Sequence, residues 1–314
     1  MPALVSIIIP NYNRAHLILC TLDSIISQTY PHWECLVIDD GSSDRSAAVI
    51  QDYADRDARI RYYERPANRP RGANACRNYG LELSQGDYIN WFDSDDLMHP
   101  EKLEQQLKAL ESVDFPFCVC QSLEFEESVS NIIGLKSKHI YSNNPLDDFL
   151  QKKIIWLTQA PLFRKSFLFD HYFRFDEALQ AGQEWEFFTR ILIKQQYYCT
   201  VEVPLVYIRR HADSISNQTS LIKDWNYYLT RDKIYTLYKS ELSMKSQKYL
   251  RKFFITSFKL FLRNKKIPYA YKIWRKNICF DFNYSLKSHF YILMSLLSFL
   301  MFKKGEYFLT KVKP

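Results

Sequence analysis

Glycine is scarce, with 7 residues in a chain of 314. That scarcity argues against flexible linkers and excludes collagen-like repeats. The glycine-built phosphate cradles are missing too: no G-x-G-x-x-G follows a strand, and no Walker A sequence occurs. Neither H-E-x-x-H nor the G-x-S-x-G nucleophile elbow is present. There are 7 cysteines and no Cys-x-x-Cys. Cys118-x-Cys120 alternates inside an apolar strand with no His at zinc-site spacing. Cys35, Cys118, Cys120 and Cys199 lie in apolar runs, which predicts reduced core thiols in a cytosolic protein. Long hydrophobic runs are lacking, since the longest, 290–302, is too short to cross a bilayer. Met1-Pro-Ala-Leu4 leads straight into a strand-like run, so no signal peptide is expected. Internal repeats and low-complexity segments are also absent.

What is present is globular: 47% apolar and 25% charged residues, with 16% aromatics. The net charge of +7 is unevenly distributed. Residues 1–221 hold 22 Lys and Arg against 30 Asp and Glu, whereas 222–314 hold 20 against 5. The second stretch also carries 22 of the 50 aromatic residues. This break predicts a boundary near 216–224, giving one domain over 1–216 and a basic, aromatic region over 217–314.

The first domain reads as strands alternating with helices. Val5-Ser-Ile-Ile-Ile9, Cys35-Leu-Val-Ile38, Ile60 to Tyr63 and Tyr88 to Phe92 are short, apolar, strand-like runs. Between and after them, His16 to Ser27, Ser46 to Tyr53, Ala73 to Leu83 and Pro100 to Leu110 carry helical spacing. The pattern predicts an α/β fold with a mostly parallel sheet covered on both faces. Ligands of such sheets sit beyond the carboxyl ends of the strands. Three polar clusters fall there: Pro10-Asn-Tyr-Asn-Arg14, Asp39-Asp-Gly-Ser-Ser-Asp44 and Asp93-Ser-Asp-Asp96.

Each cluster suits a particular chemistry. Asp93 and Asp95, two apart on extended chain, put two hard oxygen ligands on one side, as Mg²⁺ or Mn²⁺ prefers. The competing reading is a turn of solvated acids. Asp40 could accept hydrogen bonds from a base or sugar, and Tyr12 could stack on the base. Alternatively, Asp40 makes an Asx turn and Tyr12 is a core aromatic. Glu184 shares a helical stripe with Phe187, Phe188 and Ile191, in the first turn, where the helix dipole favours a carboxylate. It is the candidate general base, and Glu186 is expected to point elsewhere. His211, after the strand-like run 203–210, reads as structural or as a ligand.

These segments resemble family 2 glycosyltransferases of the GT-A fold. The resemblance rests on Val5-Ser-Ile-Ile-Ile-Pro-Asn-Tyr-Asn-Arg14, Ser27-Gln-Thr-Tyr30 and Val37-Ile-Asp-Asp-Gly-Ser-Ser-Asp44. Gly72-Ala-Asn-Ala-Cys-Arg-Asn-Tyr-Gly80 and the Asp-x-Asp of Asp93-Ser-Asp95 extend it. It implies a Rossmann-like GT-A sheet and an inverting, metal-dependent transfer from a nucleotide-sugar, UDP-sugar above all. It places the nucleotide on Pro10, Tyr12, Asn13 and Asp40, the ribose side near Asp93, and Mn²⁺ or Mg²⁺ on Asp95. Gly182-Gln-Glu-Trp-Glu186 is similar to the family's Gly-Glu-Asp-x-Asp segment, which puts the base on Glu184, one methylene longer than Asp. Arg209-Arg-His211 resembles a segment with Arg near the diphosphate and His near the metal. A saccharide or lipid-linked acceptor and a role in cell-surface polysaccharide synthesis are expected.

Two other functions are weighed. A sugar-phosphate nucleotidyltransferase would want a Gly- and Lys/Arg-rich loop after the first strand, which Pro10-Asn-Tyr-Asn13 lacks. A non-catalytic scaffold binding nucleotide-sugar would not need Asp93, Asp95 and an inward Glu184. The basic C-terminal helices fit an anionic membrane surface, or else pack on the catalytic domain or a second subunit, as in a homodimer. Nucleic acid is not expected, because no recognisable module accompanies the charge. The expected location is the cytoplasm, with the inner face of the plasma membrane as the peripheral site.

Overall fold

In a computed structural model the chain divides into two compact units, residues 1–218 and 219–314. Residues 2–210, 220–281 and 283–312 are described.

In the first unit, β1 (Val5–Asn11) and β2 (Trp33–Asp39) are buried along their whole length. Covering on both faces explains why their sequences run apolar without alternating. With β3 (Ile60–Glu64) and β4 (Tyr88–Trp91) they form a parallel block in the order β3-β2-β1-β4. The connecting helices are α1 (Ala15–Ile26), α2 (Ser46–Arg56) and α3 (Ala73–Leu83). α3 lies close on β1 because residue 80 is glycine: a Cβ there would stand 2.3 Å from Ile8 Cγ2.

The sheet continues through β8 (Pro161–Arg164), β6 (Phe117–Glu126), β9 (Cys199–Arg210) and the short β5 (Leu97–Met98), with β7 (Ile132–Leu135) on β6. β8 runs antiparallel to both β4 and β6, while β6 and β9 are parallel. The expected parallel sheet therefore holds for β1–β4, and the second half is mixed. A buried strand carries the same apolar run in either direction, so periodicity does not report its sense. Helix α4 (Lys102–Glu111) and the later α5 (Pro145–Leu150), α6 (Lys165–Asp170) and α7 (Gln183–Lys194) complete the unit. α7 is held by an aromatic cluster: Phe187 stacks on Phe175 at 4.0 Å and meets Trp91 edge-on at 5.5 Å.

The second unit is helical: α8 (Leu221–Tyr238), α9 (Met244–Arg263), α10 (Ile267–Ile273), α11 (Leu286–Phe302) and α12 (Glu306–Lys311). Ser220, Ser243 and Ser285 cap α8, α9 and α11, each accepting the N3 backbone N–H. The apolar stripe of α9 turns inward, with Leu250, Phe254, Phe258 and Phe261 buried and Phe253 half-buried. Asp232 is locked by Asn277 (2.9 Å) and Lys276 (2.6 Å).

Candidate active site

β1 and β2 pair in register to their last residues, Asn11 opposite Asp39. The two loops that follow are therefore side by side, and side chains stitch them together. Asp39, buried, accepts from the Asn11 amide (2.8 Å) and from the backbone N–H of Ser42 (2.7 Å). Asn13 stands in the left-handed region (φ 49°), and its Oδ1 accepts from Ser43 N–H (2.8 Å). Asp44 in turn accepts from Ala15 N–H (3.0 Å), at the start of α1. Asn13 Oδ1 thus ties the first loop to the second. Pro10 is buried in β1 opposite Ile38, whereas Tyr12 is 49% exposed, with its ring available for stacking.

Asp40 is buried at the mouth of this loop pair. One carboxylate oxygen is ion-paired with Arg65, and the other accepts from Gly72 N–H at 2.8 Å. Gly72, with φ 129°, opens α3 in a conformation that L side chains rarely adopt. Asp40 thereby joins three segments, and Arg65 was not legible from sequence as its partner.

The acids after β4 form the centre of the site. Arg77 of α3, itself buried, donates to Asp93 Oδ1 at 2.7 Å. Gln159, just before β8, donates its amide to Asp93 Oδ2 at 2.9 Å and to the buried Asp96. Burial raises the Asp93 carboxyl above its ordinary value, with Arg77 opposing and the charges of Asp95 and Glu184 adding to the rise. Asp96 is raised further, by burial and then by Asp95 and Asp93. Asp95 stays partly exposed, with Arg14 Nε 3.8 Å from its carboxylate. Arg209 ties β9 to this turn: its N–H bonds Asp96 Oδ1 (2.9 Å) and its Nε bonds the Asp95 carbonyl (3.0 Å). His211 lies outside the described residues.

Glu184 arrives from the other half of the sheet. Gly182, at φ 74°, turns the chain into α7. Glu184 Oε1 then accepts both the N–H (2.9 Å) and the hydroxyl (2.5 Å) of Thr158. Thr158 precedes Gln159, so one dipeptide holds Glu184 on one side and the Asp93–Asp96 turn on the other. Glu186 points elsewhere than these acids: it is fully buried and accepts from Arg190 at 2.7 and 3.0 Å. Arg190, one turn along, makes the buried carboxylate stable.

Asn74 and Asn78, on either side of Arg77, latch the loop before α7. Asn74 donates to the carbonyls of Asp176 and Leu179, and Asn78 to that of Phe175, all at 2.9 Å. Sequence reasoning placed this helix but missed its roles, because the partners lie about a hundred residues away. A cavity of about 620 Å³ opens at the opposite edge of the sheet, lined by Ala3, Gly86, Tyr88 and Arg164; the acids above do not line it.

The donor chemistry fits a hard divalent ion. Asp93 and Asp95 offer carboxylate oxygens, and their mutual repulsion, which raises Asp93, is one that a cation relieves. Among the described residues no three His, Cys, Asp or Glu converge as a complete metal cage. Two carboxylates completed by phosphate oxygens and water is the arrangement this set suits.

A parallel nucleotide-type block joined to a mixed half, with acids at the strand ends, is the GT-A architecture. It is shared with a mannosyltransferase from Pyrobaculum calidifontis solved with GDP-Man and Mn²⁺, at a TM-score of 0.57 and 16% identity over 98% of this chain and 85% of that one. The chain belongs to Glycosyl transferase family 2, whose sequence model matches residues 6–169. An uncharacterized glycosyltransferase of Rickettsia typhi is 30% identical over 221 residues, 69% of this chain and 67% of that protein. The Escherichia coli UDP-Glc:alpha-D-GlcNAc-diphosphoundecaprenol beta-1,3-glucosyltransferase WfgD is 37% identical over 107 residues, 34% of this chain and 41% of that protein. The matched segments thus span from about two fifths to two thirds of these relatives' own lengths.

Proposed function

We propose that this chain is an inverting, metal-assisted glycosyltransferase that moves a sugar from a UDP-sugar to a hydroxyl of a saccharide or lipid-linked acceptor in cell-surface polysaccharide synthesis. The observation that carries the reading is the convergence of Glu184 with Asp93, Asp95 and Asp96 through Thr158-Gln159. The likeness to WfgD, named for a UDP-Glc donor and a diphosphoundecaprenol-linked acceptor, supports the donor and acceptor classes. In this reading Tyr12 stacks on the base and the loop pair of β1 and β2 encloses it. Asp95, with Asp93 beside it, would hold Mn²⁺ or Mg²⁺, which when bound neutralises the diphosphate leaving group.

Glu184 takes the proton of the acceptor hydroxyl. Thr158 anchors Oε1, and among the described residues no donor is bonded to Oε2, the oxygen assigned to the proton. The hydroxyl oxygen then bonds to the anomeric carbon opposite the departing nucleoside diphosphate, whose bond to that carbon breaks with its electron pair. One displacement inverts the anomeric configuration and needs no protein nucleophile, unlike retaining glycosidases with their two carboxylates.

The test is to incubate the full chain and Mn²⁺ with a panel of UDP- and GDP-sugars and with saccharide and polyprenyl-diphosphate sugar acceptors. Release of UDP that requires acceptor, with the new linkage inverted by NMR, is expected. A product of retained configuration overturns the mechanism. Nucleotide-sugar binding without transfer to any acceptor favours the scaffold reading.

A further inference from the structure

Helix α11 has two apolar faces, and only one is used inside its unit. Ile292, Leu296 and Phe299 are buried there, along with Ser288 and Ser295. On the other side Leu286, Phe290, Leu293, Leu297, Leu300 and Met301 are exposed, from 39% to 89%. Their spacing of four, three, four, three and one residues keeps them on one stripe about 100° wide. A solvated helix would place charged residues there; α11 contains no Asp or Glu, and Lys287 is its one charged residue.

Charge decides what this stripe fits. Lys287 lies near its start, and Lys303 and Lys304 follow its end, all exposed. Pairing two α11 helices from two copies would set lysine near lysine in either orientation, with no acid on the helix to relieve it. The nearby acid Glu306 is already bonded to Arg263 at 2.6 Å. An anionic lipid surface answers both features, taking the leucine stripe among its acyl chains and the lysines among its headgroups. The 20 basic against 5 acidic residues of 222–314 add long-range attraction of the same sign. At 17 residues α11 is about 25 Å long, short of the ~30 Å hydrocarbon core, so it suits lying in the interface rather than crossing. Among the described residues no helix is long and apolar enough to cross a membrane.

From this we infer that the outward face of α11 docks the protein on an anionic bilayer. The inference stands apart from the glycosyl-transfer reading and is tested without measuring transfer. Full-length protein is floated with vesicles of phosphatidylcholine alone and of equal parts phosphatidylcholine and phosphatidylglycerol. Binding to the anionic vesicles, weakened by salt, is expected. Leu293→Glu with Leu297→Glu should lower partitioning roughly a hundredfold, since two leucines are lost from the acyl region. Lys303→Glu with Lys304→Glu should lower it more than tenfold, each lysine being worth roughly fivefold at such a surface. Both pairs are exposed, so unchanged circular dichroism is the folding control. Equal flotation on the two vesicle types, or variants that bind like the parent, overturns the inference. So does a lipid-free dimer that the leucine variant dissociates, which would make the face a contact between copies.

Discussion

Thr158 gives both its backbone N–H and its hydroxyl to a single oxygen of Glu184, Oε1, at 2.9 and 2.5 Å. The carboxylate is thereby fixed in direction by a residue that is itself fully buried. As the proposed base, Glu184 is then in place before substrate arrives.

Glu184→Gln keeps the size of the side chain and removes its ability to take a proton. The expected outcome is a fall in kcat of about 10²–10⁴-fold, with UDP affinity and melting temperature retained. Glu186→Gln should act differently. It breaks a buried pair with Arg190, so a loss of about 3 kcal/mol in stability is expected. Urea unfolding and kinetics on both variants separate the two effects. Normal turnover in Glu184→Gln would remove it as the base.

Gln159→Leu takes away the amide that Asp93 and Asp96 share. Two carboxyls already raised by burial then lose their bridging donor. Stability should fall by about 2 kcal/mol, with weaker UDP binding. Calorimetry with UDP and Mn²⁺ checks this, and unaltered affinity would mean the turn holds its shape without Gln159.

Asp95→Ala is expected to weaken UDP binding in Mn²⁺ by roughly 10–100-fold, the worth of a lost charge-assisted contact. Chelation of the parent protein should produce a loss of similar size. UDP affinity indifferent to chelator would eliminate the metal from the site.

Lys102 is fully buried on α4, where its Nζ donates to Asn90 Oδ1 at 3.1 Å. Burial lowers its amine to about 8 from 10.5. The folded state thus binds fewer protons than the unfolded state between these values, so stability rises with pH across that window. The cost is complete below pH ~8 and is about 3 kcal/mol. Lys102→Met removes that cost and leaves Asn90 without its donor, about 1 kcal/mol. A gain of about 2 kcal/mol near pH 7 that disappears above pH ~10.5 is expected from urea midpoints. A variant less stable than the parent near pH 7 would show the amine to be net favourable.

Much of the first unit was legible because local signals and burial agree. The helix expected over 73–83 is α3 to the residue, and Val5–Ile9 and Cys35–Ile38 are the cores of β1 and β2. The mixed half was less so. Neither the antiparallel sense of β8 nor its position between β4 and β6 leaves a periodic trace in four residues. At the site, acids that end strands announced themselves, but their partners did not. Arg77 and Gln159 reach Asp93 from 16 and 66 residues away, and Thr158 reaches Glu184 from 26. Such pairings arise from topology, which composition and spacing do not encode. Asn13 adds a role that spacing does not encode: its oxygen joins the two loops by accepting from Ser43 N–H.

The Thr158-Gln159 dipeptide acts as a ruler of fixed length. One residue grips Glu184, and the next grips Asp93 and Asp96. The two grips start from adjacent Cα atoms, about 3.8 Å apart, so any shift of this backbone step moves Glu184 and the acid turn together.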